Sequence, residues 1–234
     1  MDLLWDGLVA ALRLLATGDP LTYQIAARSL LVSGLATALA TALGVPLGAL
    51  LALGNVPGQR LLGALVNTGM GLPPVVVGLG VSILLWRSGP LGGLALLYTP
   101  AAMIIAQCIV ATPLATGLTA AALGALDRDL LGALRVDGAT EWRVGGELVR
   151  AARPQVLVAV AAAFGRAISE VGASLMVGGN ILNQTRVLTT AITLETSKGD
   201  FARAIALGLI LLALAFLVNA GLARFRGPWA IEGR

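Results

Sequence analysis

Residues 204–223 read AIALGLILLALAFLVNAGLA, twenty positions without a charge. As a helix rising about 1.5 Å per residue, that run covers about 30 Å, the thickness of a bilayer's hydrocarbon core. In lipid each such segment must satisfy its own backbone, which a helix does and an isolated strand does not. Working outward, four further apolar runs read as spans over residues 29–53, 61–86, 94–123 and 155–177, the last interrupted by Arg166 and Glu170. Gly, Ala, Ser and Thr fill all five, as expected where helices approach closely in a membrane. The chain therefore reads as an all-α membrane protein with about five transmembrane helices, residues 1–226 forming one transmembrane domain.

Composition agrees. Of 234 residues, 57% are hydrophobic and 12% charged, about half the charge of an ordinary soluble domain. The net charge is +4, yet the basic residues are thinly spread with few aromatics between them, which argues against a nucleic-acid partner. Histidine is absent, removing the commonest general base and metal ligand. Cys108 stands alone in an apolar run and has no intrachain disulfide partner. The acidic start, Asp2 and Asp6, does not read as a signal peptide. At the other end, Ile231-Glu-Gly-Arg234 reads as a protease-site remnant, and residues 228–234 are set apart from the domain.

Residues 1–18 place Leu3, Leu4, Leu8, Leu12 and Leu15 against Asp6 and Arg13. The stretch is short for a span and reads as an amphipathic helix lying on the membrane, with a sixth span as the alternative. With five spans, eight basic residues fall on the side that holds residues 127–154 and six on the other. The bias puts that loop and the C-terminus in the cytoplasm and the N-terminus outside.

That loop, DRDLLGALRVDGATEWRVGGELVRAARP (127–154), is the long water-compatible stretch of the chain. It carries five acids and five arginines, and its apolar residues recur as on two short amphipathic helices broken at Gly138. Such an element suits docking, and Trp142 serves either as an interfacial anchor or as the docking side chain. No phosphate-cradling loop accompanies it. Lys198 is the sole lysine, and Thr196-Ser-Lys-Gly-Asp200 does not fit the nucleotide-binding pattern. With no nucleophile–base pair or metal-ligand cluster either, the chain is not expected to be an enzyme by itself. Any ATP-driven work needs a separate subunit that binds ATP and Mg, and no cofactor is expected in this chain.

Three features inside the spans could line a path or gate. Arg166 and Glu170, four apart, fall on one helix face. Charges in a span cost at least ~2.5 kcal/mol each, so they either neutralise one another or border an aqueous path. Pro73 and Pro74 interrupt the second run, as a kink or as a broken helix lining a cavity. Val177-Gly-Gly-Asn-Ile181 and Thr185–Thr190 form a polar turn leading into a short re-entering helix. Such a segment, with Asn180 in its turn, can gate a pore, and the amides of Gly178 and Gly179 and the hydroxyls of Thr189 and Thr190 could bond an oxyanion; by composition alone it is a loop.

FGRAISEVGASLMVGGNI (164–181), TRVLTTAI (185–192) and LETSKGD (194–200) together resemble the permeases of ABC importers for molybdate and tungstate, most closely the tungstate-uptake branch. The 127–154 loop resembles the coupling loop of the same permeases, with Gly132-Ala133-Leu134 standing at its Glu-Ala-Ala positions. This resemblance implies the type I importer permease (MetI-like) fold and a multi-pass protein of a bacterial or archaeal inner membrane. It also implies a homodimer, two ABC ATPase subunits and an external oxyanion-binding protein. Coupling to the ATPase would fall to Ala133, Asp137, Gly138, Ala139, Thr140, Glu141, Trp142 and Arg143. An ATP-independent secondary transporter or channel is the competing class. It calls for titratable groups within the spans, where only Glu170 qualifies, and for an inverted internal repeat, which is not evident.

Overall fold

The computed structural model describes residues 2–53, 57–136, 138 and 140–225. Among these every regular element is helical. Three helices are individually long and apolar enough to cross a membrane: α2 (Pro20–Leu53), α5 (Pro100–Gly124) and α11 (Phe201–Arg224). Two bent pairs are long and apolar enough to make up to two further crossings, each pair taken as one span. Helices α3 (Gln59–Met70) and α4 (Pro74–Leu85) meet at 101°, and α7 (Glu141–Ala151) and α8 (Arg153–Ile168) meet at 81°. The remaining α-helices are shorter, α1 (Asp2–Ala16), α6 (Arg128–Val136), α9 (Gly172–Gly178) and α10 (Leu188–Ser197), and a single 3-10 turn covers Gly92–Leu94.

Local chemistry sets the ends. Helix α2 begins well before the uncharged run at Ser29, because Asp19 caps it and Pro20 opens it. The Asp19 carboxylate accepts from the Thr22 amide at 2.9 Å and from the Thr22 hydroxyl, and a proline at the first helical position sacrifices no needed donor. These bonds, with the Thr22 hydroxyl the larger cause, hold the Asp19 carboxyl below its ordinary range. Thr99 and Pro100 open α5 in the same way, the Thr99 hydroxyl accepting from the Ala102 amide at 3.4 Å. The stretch expected as one span over residues 61–86 is two helices. Pro73 and Pro74 supply no N–H to carry the ladder onward, and tight turns from Gly71 to Thr68 and from Leu72 to Gly69 close α3 instead.

The bundle is built around α2 and α5. Ala36 and Ala40 of α2 meet Ala111 and Ala115 of α5 in a core of small side chains. Gly44 and Gly48 bring the two backbones closest. A Cβ on Gly48 would stand 2.7 Å from the Thr116 carbonyl oxygen and 2.8 Å from Thr119 Cβ. Both obstacles belong to one rigid helix, so Gly48→Leu must push α2 off α5. Overpacking of this kind costs about 1–3 kcal/mol, and a protein that melts several degrees lower in detergent is the expected result. An unchanged melting temperature would show the helices separating freely there.

Leu31, Leu35, Leu39, Leu43 and Leu47 form an exposed stripe along α2 at four-residue spacing. A stripe so apolar is out of place in water and at home against lipid or another apolar helix. Helix α1 packs on α11 through Gly7, where an added Cβ would overlap the Ile205 side chain, and it leaves Leu3, Leu4, Trp5 and Leu12 exposed.

Candidate functional site

The features that the sequence marks inside the spans meet at the two broken helices. Helix α8 ends at Ile168, so Arg166 and Glu170 do not share a helix, and no ion pair joins them. They are therefore not a mutually neutralising pair. The helical spacing on which that expectation rests stops two residues before Glu170. Arg166 instead crosses to the α3–α4 bend, donating from Nη2 to the Leu72 carbonyl at 3.3 Å. That carbonyl lies in the three-residue break ahead of Pro74, where no helical amide follows to receive it, and the guanidinium takes the vacant place. Pro73 caps α4 and Pro74 is its first residue.

Glu170 is 4% exposed. Its Oε1 accepts from the Ala173 amide at 2.8 Å, satisfying one of the first amides of α9 from just ahead of the N-cap position, Val171, and its own carbonyl accepts from the Thr189 hydroxyl of α10 at 3.0 Å. Helix α9 lies tight against α4, where a Cβ on Gly78 would stand 2.7 Å from Ala173 Cα and one on Gly172 would stand 2.5 Å from the Val75 side chain. The α3–α4 bend and the α8–α9 break are therefore packed against each other. Leu72, Pro73, Arg166, Glu170 and Thr189 are held together by contacts between segments far apart in the chain.

The turn after α9 has a fixed shape. Gly178, Gly179 and Asn180 end α9, with Gly179 and Asn180 at positive φ of 68° and 51°. A Cβ on Gly178 would stand 2.8 Å from Met103 Sδ, and one on Gly179 would stand 2.9 Å from the Tyr98 ring. The Thr185 hydroxyl donates to the Gly178 carbonyl and accepts from the Ile181 amide at 2.9 Å. Asn180 Nδ2 donates to the Thr190 carbonyl at 3.3 Å, and the Thr190 hydroxyl accepts from the Val187 amide at 3.1 Å. Thr190 thus spends its hydroxyl on starting α10.

The expected coupling residues lie at the far end of α8. Helices α6 and α7 are joined through Gly138, whose φ is +78°, and the Thr140 hydroxyl caps α7 by accepting from the Arg143 amide at 3.4 Å. Glu141 is engaged in a two-point ion pair with Arg135 across the turn, both contacts 3.1 Å. Val144 and Leu148 bury the inner face of α7 against Ala49, Leu123 and Val156. The outer face presents Trp142, 80% exposed, beside an apolar groove of about 470 Å3 that Val45, Pro46 and Leu53 also line. Arg143 is exposed. Ala133 lies in α6; Asp137 and Ala139 are outside the described residues, as are residues 228–234.

Nothing in the sequence marks Leu72 as an acceptor, Arg28 and Arg186 as donors to the 180–186 turn, or the buried Gln107–Ser174 bond at 3.1 Å between α5 and α9. Arg28 and Arg186 are 158 positions apart. A charge at the edge of an apolar run is the only signal either one offers.

Broken spans within the bundle and an amphipathic helix pair held outside it are the parts of a membrane transport permease driven through another subunit. Comparison with known proteins agrees. Residues 44–226 match the family described as binding-protein-dependent transport system inner membrane component. The chain belongs to that family, the permease subunits of ABC transporters. It is 42% identical to the tungstate uptake system permease protein TupB of Peptoclostridium acidaminophilum, over 94% of this chain and 96% of that one. It is 47% identical to a protein of Haloferax volcanii named as a probable anion ABC transporter permease protein, over 90% and 94% respectively. In fold it is similar to an inward-facing structure of the MetNI methionine ABC transporter, with a TM-score of 0.71 at 20% identity, covering 89% of this chain and 97% of that one.

Proposed function

We propose that this chain forms the membrane path of an ATP-driven importer for a tetrahedral oxyanion, tungstate, received from an external binding protein. The observation that supports the substrate is the likeness, over nearly its whole length, to a permease named for tungstate uptake. Electrostatics is compatible with a dianion, since Arg166 faces no acidic partner within 4.0 Å among the described residues, but it does not choose among tungstate, molybdate and sulfate.

The working unit in this reading is two copies of the chain with two ABC ATPase subunits, ATP and Mg being bound by the ATPase. Each ATPase engages one α6–α7 element from the cytoplasmic side, through Trp142, Arg143 and the turn at Gly138. Displacement of α7 is passed to α8, a stiff rod of sixteen residues, about 24 Å long. Its far end carries Arg166 and leads to Glu170, so the bend at Leu72 and the start of α10 shift together. The path opens by rigid-body movement between packed arrangements rather than by gradual deformation.

Cells lacking the chain are expected to lose tungstate accumulation at nanomolar supply while retaining most molybdate accumulation. Loss of molybdate alone would transfer the proposal to that anion. Retention of both would remove oxyanion import as the function.

A further inference from the structure

At the end of α2 opposite the coupling element, two arginines converge on the turn that precedes α10. Arg28 donates from Nη1 to the Arg186 carbonyl at 3.0 Å and from Nη2 to the Asn183 carbonyl at 2.8 Å. Arg186 donates from Nε to Asn180 Oδ1 and from Nη2 to the Asn180 carbonyl, both at 3.2 Å. Neither has an acidic side chain within 4.0 Å among the described residues. Both are half-buried, so their charge is less screened than that of a fully solvated arginine. A guanidinium carries five N–H bonds; with two hydrogen bonds made by each, each retains donors for a further ligand. The turn that holds them does not collapse around the charges. Gly179, Asn180 and Asn183 all stand at positive φ, and the Thr185 hydroxyl ties Gly178 to Ile181.

We propose that Arg28 and Arg186 form a reception site for the oxyanion at the outer mouth, occupied after release from the binding protein and before entry to the path. This rests on the oxyanion-import reading above. Two uncompensated, hydrogen-bonding cations in a half-buried turn match a tetrahedral dianion in charge and in donor geometry. The site is also wired to the gate. Asn180, which accepts from Arg186 through both its oxygens, donates its side-chain amide to the Thr190 carbonyl in the first turn of α10. An anion on Arg186 competes with Asn180 for the guanidinium and so loosens the turn's hold on α10. The neighbouring Thr189 is bonded to the Glu170 carbonyl, which carries the change toward Arg166. Arg28 and Arg186 thus stand as the first cationic station and Arg166 as the second.

The test uses the full complex of permease, ATPase and binding protein in proteoliposomes, with sodium tungstate as the probe. At sub-saturating tungstate-loaded binding protein, Arg186→Gln is expected to lower uptake about tenfold, and Arg28→Gln several-fold. Arg186→Lys, which keeps the charge but not the two-point bond to Asn180, is expected to retain at least half of wild-type uptake. Affinity of the complex for anion-free binding protein should be the same in all variants. If Arg186→Lys is as poor as Arg186→Gln, the arginine is a hydrogen-bonded staple and the proposal falls. If anion-free docking weakens in step with uptake, the arginines are a protein interface, and it falls equally. A wild-type complex that moves molybdate but not tungstate overturns only the substrate reading; the lysine-against-glutamine contrast is then measured with molybdate, where the same two results would overturn the site.

Discussion

A Trp142→Ala permease should assemble and melt as the wild type does, while ATP hydrolysis stimulated by the loaded binding protein falls about 30-fold. Trp142 is 80% exposed, so truncating it leaves the buried contacts of Val144 and Leu148 intact and removes little from the fold. Aromatic anchors at docking surfaces commonly carry about 2 kcal/mol or more, which is the origin of the 30-fold figure. Gly138→Val should uncouple by another route. No atom stands within 4 Å of a Cβ built there, but the backbone is at φ +78°, a conformation that costs a side-chain-bearing residue about 1–2 kcal/mol. The angle between α6 and α7 must change, so hydrolysis should continue while uptake stops. Because the 127–154 element balances five acids against five arginines, ATPase docking should depend only weakly on salt. Wild-type stimulation in Trp142→Ala would take that side chain out of the interface.

The membrane-immersed, all-helical fold was legible because lipid restricts the choices. Uncharged runs must be helical, and 204–223 is contained in α11 almost without remainder. The prolines at 73 and 74 announced a discontinuity but not its size, 101°, nor the contacts made there, α9 against Gly78 and the Arg166 guanidinium donating to the Leu72 carbonyl, neither of which is local. Arg166 and Glu170 show the limit most clearly. Spacing in the sequence assumes that a helix continues, and α8 does not. Its last amides close on Gly165 and Ala167 at Ser169 and Glu170, and Glu170 is then free to bond an amide in the first turn of the next helix. The amphipathic α6–α7 pair was visible from its periodicity and from Gly138. The use of Glu141 as a partner for Arg135, rather than as a free docking charge, was not, because that pairing spans the turn between two helices.

Arg166→Leu is expected to abolish uptake, at least 100-fold, in a complex that still assembles and hydrolyses ATP at its basal rate. The substitution leaves the Leu72 carbonyl without its donor and removes a half-buried cation from the place where the end of α8 meets the α3–α4 bend. The carbonyl is only part-buried, so losing its partner costs at most the ~1–3 kcal/mol of a buried one, against roughly 5–15 kcal/mol of stability in a typical folded domain, and the bundle should survive. In the proposed mechanism, what is lost is the tie between the end of α8 and the α3–α4 bend, together with a positive charge on the anion's path. Arg166→Lys retains the charge and a single donor, and should recover part of the uptake. Glu170→Gln supplies the contrast. An amide oxygen can still accept from the Ala173 amide, and the carbonyl that receives Thr189 is backbone, so if Glu170 acts as that acceptor, uptake should stay within about threefold of wild type. A purely structural Arg166 would show itself differently: melting temperature, yield of the complex and uptake would fall together in Arg166→Leu, and the lysine variant would rescue none of them.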